Sequence, residues 1–307
     1  MNVDIAAAAQ LACLLEASAP KPGNVSPGRH FTDVRYEHFL ASAAAIGVPL
    51  SGAGERPLGQ TILLAATATS RWTRSNTNLG IVLLLAPLAR AAGMGRPEGR
   101  PLPADSRRTA PVEADLQVGL PPAPEALREA LREVLQGTTV DDARKVFAAI
   151  RLASPGGLGD APDQDVADEP TVTLLEAMHM AADYDGIARE YSTFFATTFE
   201  VAVPALQQAR TDGLSWDDGV VETFMTVLAS QPDTHIARRG GVDLAADISQ
   251  RAAEVMRAGG VRAEEGRRAL GYFDQSLRDP RNIGNPGTTA DLTAAAIFVA
   301  LLQGAWT

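Results

Sequence analysis

The chain has 307 residues, 46% of them hydrophobic and 21% charged, so disorder as the overall state is excluded and a sizeable core is expected. With 27 Lys and Arg against 37 Asp and Glu, the net charge is −10. Such a field repels nucleic acid and anionic membranes on average, so neither is an expected partner, while an anionic small molecule needs basic residues that converge locally.

The N-terminal Met1-Asn2-Val3-Asp4-Ile5 has an early acid and no basic region, unlike a signal peptide. No apolar run approaches the roughly 20 residues that cross a bilayer, and a cytoplasmic protein is expected. Apolar residues, mostly alanine, then recur at helical spacing from Asp4 to Ala17. The single cysteine, Cys13, lies in this stripe and reads as a buried thiol; one cysteine excludes an intrachain disulfide framework. Further stripes predict helices over Arg35–Ile46, Gln60–Ser70, Asn78–Ala92, Glu125–Gln136, Asp141–Leu152 and Thr171–Ala209. Others follow over Asp217–Ser230, Leu244–Ala258, Arg262–Arg278 and Thr288–Gln303, and alternating strand patterns are nearly absent. The expected fold is all-α, one multi-helix domain over residues 1–307. Its main interruption is a Gly/Pro/Arg-rich loop over 92–124, suited to a flap or lid. A second interruption, Ser154-Pro155-Gly156-Gly157-Leu158-Gly159, precedes Asp160, Asp163, Asp165, Asp168 and Glu169, which lack the pattern of a calcium loop.

Four segments at predicted helix ends carry anion-binding residue types. Ala19-Pro20-Lys21-Pro22-Gly23-Asn24-Val25-Ser26-Pro27-Gly28-Arg29-His30 presents Lys21 and Arg29 on a stiff backbone, which suits a phosphate clamp or a plain Pro/Gly connection. Arg71-Trp72-Thr73-Arg74-Ser75-Asn76-Thr77-Asn78 opens an apolar helix, where Asn76 and Asn78 suit either an N-cap or an anion site. Pro232-Asp233-Thr234-His235-Ile236-Ala237-Arg238-Arg239-Gly240-Gly241 reads as a loop whose arginines suit a polyphosphate and whose Asp233 suits a metal ion. Asn285-Pro286-Gly287-Thr288-Thr289-Ala290-Asp291 has capping-box spacing. An aspartate there repels phosphate unless a divalent cation intervenes, which implies Mg²⁺ at Asp291. Along Thr171–Ala209, Glu176, His179, Asp183 and Glu190 share one face, a solvated stripe or the carboxylate wall of a site.

Together these segments resemble the triphosphoribosyl-dephospho-CoA synthase family, the ATP:dephospho-CoA triphosphoribosyltransferases. The family pattern Pro-Lys-Pro-Gly-x-Val matches Pro20 to Val25, and Glu-x-Phe-x-x-Ser-Ala matches Glu37, Phe39, Ser42 and Ala43, with Asp33 upstream. Asn-Thr-His-Lys-Gly aligns with Asn76 to Gly80, and Asp-Thr-Asn-Val-x-x-Arg-Gly-Gly with Asp233 to Gly241. Ser-Pro-Gly-Gly-Ser-Ala-Asp-Leu-Leu aligns with Asn285 to Leu292, placing Asp291 on the family aspartate. The family His-Lys is Asn78-Leu79 here, and Ser26 replaces an aspartate, which marks a divergent branch.

The resemblance implies an enzyme that displaces adenine from ATP and joins ribose C1 to an acceptor hydroxyl, dephospho-CoA or a related one. It implies Lys21, Arg29, Asn76, Asn78, Arg238, Arg239 and Thr288 on substrate and phosphates, and Asp233 and Asp291 on Mg²⁺. Asp33 and Asp183 are the candidates to stabilise an oxocarbenium-like centre or take the acceptor proton. A nucleotide N-glycosidic hydrolase and an inactive nucleotide-binding protein are the alternatives, and a homo-oligomer is compatible with either.

Overall fold

The computed structural model describes residues 4–94, 124–154 and 164–305. Among these the architecture is all-α, with no strand and one isolated bridge, Ser26 to Arg29. The first half comprises α1 (Ile5–Ser18), α2 (Tyr36–Ala45), α3 (Gly47–Ser51), α4 (Leu58–Ser70), α5 (Leu79–Met94), α6 (Pro124–Gln136) and α7 (Val140–Ala153). The second comprises α8 (Leu174–Ala181), α9 (Gly186–Ser192), α10 (Val203–Thr211), α11 (Trp216–Ser230), α12 (Thr234–Gly240), α13 (Val242–Arg257), α14 (Glu264–Leu277) and α15 (Gly287–Leu302). Most of the 92–124 loop, and residues 155–163 of the second interruption, lie outside the described residues.

The fold is organised around α15. Every residue from Thr288 to Leu302 is buried except Asp291. A helix apolar on all sides must be enclosed, and α1, α5, α10 and α11 pack around this one. Its closest companion in character is α5, buried from Ile81 through Ala89, whose Pro87 forgoes one backbone donor without ending the helix. α1 starts at Asp4, whose carboxylate accepts from the amides of Ala6 and Ala7 at 2.9 and 3.2 Å.

Two expectations need correction. The helix expected over Thr171–Ala209 is broken into α8, α9 and α10, because its polar residues cap ends. Glu176 closes a capping box with Thr173, and Asp185 caps α9 by accepting from the Ala188 amide at 2.9 Å. The chain then turns through Phe194 and Phe195, both in the left-handed region, at φ 52° and 61°. Glu190 staples that turn, accepting from the Thr197 and Thr198 amides at 2.9 Å each and from the Thr198 hydroxyl at 2.6 Å. Glu176, His179, Asp183 and Glu190 therefore form no common carboxylate face. The second correction concerns Asp233–Gly241, expected as a loop. It contains α12, with Asp233 as the N-cap accepting from Ile236 at 3.0 Å.

α4 and α7 approach until backbone meets backbone at Gly59. A Cβ there would lie 2.6 Å from both Cα and O of Asp142, whose carboxylate also accepts from the Gly59 amide at 2.8 Å. Gly59→Ala is expected to lower stability by about 1–3 kcal/mol. In urea unfolding this is a fall in midpoint with the slope unchanged.

Candidate active site

The loop after α1 is a brace. Lys21 turns back so that Nζ pairs with Glu16 Oε1 at 3.0 Å and donates to the Glu16 carbonyl, with both side chains sealed from solvent at 0% and 2% exposure. A buried ammonium needs such a partner. Gly23 takes φ 70°, and its amide donates to Asp274 at 2.8 Å. Arg29 and Arg278 pair with the same carboxylate at 2.9 and 2.7 Å, and Asn24 donates to Asn285 at 3.1 Å. Lys21 and Arg29 thus have carboxylate partners and lie off the lining of the main cavity. Gly23, Asn24 and Arg29 fasten the segment from Asp274 to Asn285, while Lys21 secures the loop to the end of α1.

That segment forms one side of a cavity of about 880 Å³, within the roughly 300–1,000 Å³ usual for small-molecule sites. Asp279 shapes it by accepting from the amides of Arg281, Ile283 and Gly284 at 2.8, 2.7 and 3.3 Å. Arg281, Asn282 and Asn285 thereby line the cavity. Beside it α12 contributes His235, Arg238 and Arg239, whose spacing puts all three on one face. Arg74 enters from the turn before α5. The far wall is apolar: Phe147 and Ile150 of α7, with Leu174, Ala177 and Met178 of α8, again at helical spacing.

The charges of this cavity are largely unspent. Arg238 pairs with Asp185. Arg74, Arg239 and Arg281 make no ion pair with any described carboxylate, although Arg239 donates to the Arg281 carbonyl at 2.5 Å. Asp33 and Asp291 line the cavity without an ion pair among the described residues, whereas Asp183 is exposed and off the lining. No described residue donates to the Asp291 carboxyl. Burial, reinforced by the like charges of Glu16 and Asp233, pushes its pKa well above the usual carboxylate range.

Other residues singled out by sequence hold the frame. Asp233 is buried and spends both oxygens, one on Ile236 and the other on the amide and hydroxyl of Thr289, each at 2.7 Å. Thr288 lines the cavity but shares its hydroxyl with Thr234 at 3.0 Å. Asn76 lines the cavity while accepting from the Leu79 amide at 3.0 Å, as an N-cap does. Asn78 is buried away from the main cavity, donating to the Ser42 carbonyl at 3.4 Å. Among the described residues no three His, Cys, Asp or Glu side chains form a metal-ligand group. For a magnesium ion the fit is therefore partial: Asp291 has unoccupied oxygens, and Asp233 has none.

Residues 2–307 match the profile of the ATP:dephospho-CoA triphosphoribosyl transferase (CitG) family. The chain belongs to this family. A 2-(5''-triphosphoribosyl)-3'-dephosphocoenzyme-A synthase of Pectobacterium atrosepticum is 33% identical over 122 residues, 40% of this chain and 38% of that protein. The enzyme of that name from Klebsiella pneumoniae is 31% identical over 119 residues, 39% of this chain and 42% of its own. The matched stretches thus span about two fifths of these relatives. The crystal structure of an Archaeoglobus fulgidus protein described as a triphosphoribosyl-dephospho-CoA synthase superposes with a TM-score of 0.61 at 27% identity, covering 86% of this chain and 99% of that one. The all-α fold of this CitG family member accords with that match.

Sequence reasoning missed Arg281, Asp185 and His235 as cavity residues of this family member. For Arg281 a signal was available: Asp279-Pro280-Arg281-Asn282 is turn chemistry continuous with the Asn285 segment. His235 is held neutral: burial first, then Arg238 and Arg239, push its pKa from 6.5 down to about 4. Between these values the unfolded chain binds a proton that the folded chain refuses, so stability falls as pH drops from 6.5 towards 4. His235→Phe is expected to remove that contribution, up to about 1.4 kcal/mol per pH unit. Chemical denaturation at pH 7, 6 and 5 reads it as a shallower acid loss in the variant.

Proposed function

We propose that this chain displaces adenine from ATP and transfers the 5-triphosphoribosyl group to an acceptor hydroxyl, with dephospho-CoA, which the family description names, as the acceptor. The observation that carries the reading is the arginine trio Arg74, Arg239 and Arg281 at one cavity, unpaired with any carboxylate among the described residues, in a chain of net charge −10. Guanidinium groups suit phosphate oxygens, and three suit a polyphosphate. Arg238, Asn76 and Thr288 border the same ligand. The apolar wall of α7 and α8 takes the flat face of the purine or the carbon chain of the acceptor.

In this reaction the bond from ribose C1 to the purine nitrogen breaks with its electron pair leaving on adenine. The acceptor oxygen then bonds to C1, its proton is taken up by Asp33, the exposed carboxylate of the cavity, and a proton from solvent completes the departing adenine, so that none is gained or lost overall. Developing positive charge at C1 is stabilised by nearby carboxylates, as in glycoside chemistry. The surrounding side chains limit hydrolysis by excluding water. A magnesium ion would screen the triphosphate, with Asp291 as its protein carboxylate and phosphate oxygens completing the shell. A cytoplasmic location, where ATP and CoA precursors are made, belongs to the same proposal.

Incubation with ATP, Mg²⁺ and dephospho-CoA, followed by mass analysis, tests the reading. Free adenine and a product heavier by the triphosphoribosyl group are expected; ADP or AMP in their place would overturn it. Release of sugar triphosphate without acceptor would indicate a hydrolase. Arg239→Ala and Arg281→Ala are each expected to weaken ATP binding by about 1.5–3 kcal/mol, with melting nearly unchanged, in calorimetry. Asp291→Asn is expected to keep or raise the melting temperature, because it removes an enclosed carboxyl among like charges. Turnover should collapse and the Mg²⁺ concentration for half-maximal rate should rise, while ATP affinity without Mg²⁺ is retained.

A further inference from the structure

The first turn of α5 carries a glycine in a run otherwise filled by leucine, isoleucine and valine. A Cβ at position 80 would lie 2.0 Å from Oδ2, 2.5 Å from Cγ and 3.1 Å from Oδ1 of Asp291. The carboxyl of Asp291 therefore rests directly on the backbone of α5, in the volume a side chain at 80 would fill. Both residues line the cavity. No described donor holds this carboxyl in place, and the like charges of Glu16 and Asp233 act on it more strongly than the opposite charge of Arg238. Shape, rather than hydrogen bonding, fixes where it points.

We infer that Gly80 is a positioning residue for the transfer reaction: its missing side chain is the slot that seats the Asp291 carboxyl in the cavity wall. The inference rests on the role given to Asp291 in the proposed function. A methyl group at 80 must either turn the carboxyl out of its rotamer or push α5 from α15. Aspartate has only two side-chain torsions, and a helix closes one χ1 well against the preceding turn, so few alternative seats exist. Both helices are buried, so separation is resisted by close packing. By helix propensity alone, Gly80→Ala would stabilise α5, so a fall in melting temperature would report the clash.

A double-mutant cycle tests this, with melting temperature, ATP affinity without Mg²⁺, and kcat and KM for adenine release measured in four proteins. These are wild type, Gly80→Ala, Asp291→Ala and the pair. Gly80→Ala is expected to lose about 100-fold in kcat, as misplacement of a reacting group by an ångström does, while metal-free ATP affinity stays near wild type. The pair should be no slower than Asp291→Ala within about twofold, because the two changes remove one function. It should also melt above Gly80→Ala, since alanine at 291 vacates the contested volume. Wild-type kcat in Gly80→Ala overturns the inference, and so does a pair about tenfold or more slower than Asp291→Ala. Should Gly80→Ala fail to fold, the pair decides: a restored fold supports the contact and an unfolded pair overturns it. Normal turnover in Asp291→Ala would sink the proposed role of Asp291 itself, whereas an inactive Asp291→Ala beside an active Gly80→Ala sinks only the role of Gly80.

Discussion

A helix sealed in the core is an unusual place for a carboxylate, and α15 offers one at its first turn. From Thr288 to Leu302 only Asp291 is half-buried rather than fully buried, so the element that the rest of the fold wraps is also the element that reaches the cavity. This ties chemistry to stability. α15 cannot shift without disturbing α1, α5, α10 and α11, so the position of Asp291 inherits the rigidity of the whole core. Asp233 reinforces the arrangement from α12 by bonding the Thr289 amide and hydroxyl. The arginines of α12 and the carboxyl of α15 are thereby held in one frame.

The same logic explains why several residues with suggestive chemistry serve as framework. Asp274 gathers Gly23, Arg29 and Arg278, and Asp279 gathers three amides of the next turn. Glycines in these loops lose the most conformational entropy on ordering, and internal carboxylates offset that by collecting several donors each. The loop that follows α1 thus contributes through what it fixes. Arg281 and Asn285 reach the cavity because the loop behind them is tied down.

Much of the helical content was legible, because α1, α4, α7, α11, α13 and α15 bury stripes or whole surfaces that repeat at helical spacing. The same periodicity ran through Thr171–Ala209 and misled there. Periodicity counts apolar positions, and it is blind to Glu176, Asp185 and Glu190 being spent on backbone amides. α12 escaped notice for a different reason: seven residues with paired arginines and a glycine end leave no stripe to read. Of the four segments singled out at helix ends, three reach the cavity. Which residue of each segment faces it was not legible. Lys21 is the sharpest case, since its burial depends on the chain reversing after α1 to meet Glu16, five residues earlier, a contact that no local pattern encodes.

The charge balance of the cavity can be weighed against that of the rest of the molecule. Elsewhere arginines are mostly spent: Arg144 on Asp141 and Glu169, Arg262 on Asp212 and Glu222, Arg267 on Asp218. In a chain with ten more negative than positive charges, carboxylates are in excess, and an arginine left unpaired is not short of partners. Three such arginines and two such carboxylates nevertheless share one cavity without pairing with one another. Opposite charges left apart at close quarters represent attraction not yet used. A ligand that carries concentrated negative charge at one end and develops positive charge at the other uses both sets at once, and a triphosphate attached to a ribose losing its base is such a ligand. Pairing the groups within the protein would stabilise the empty cavity at the expense of that complementarity. The separation of Arg74, Arg239 and Arg281 from Asp33 and Asp291 is therefore the feature on which the proposed polyphosphate chemistry rests.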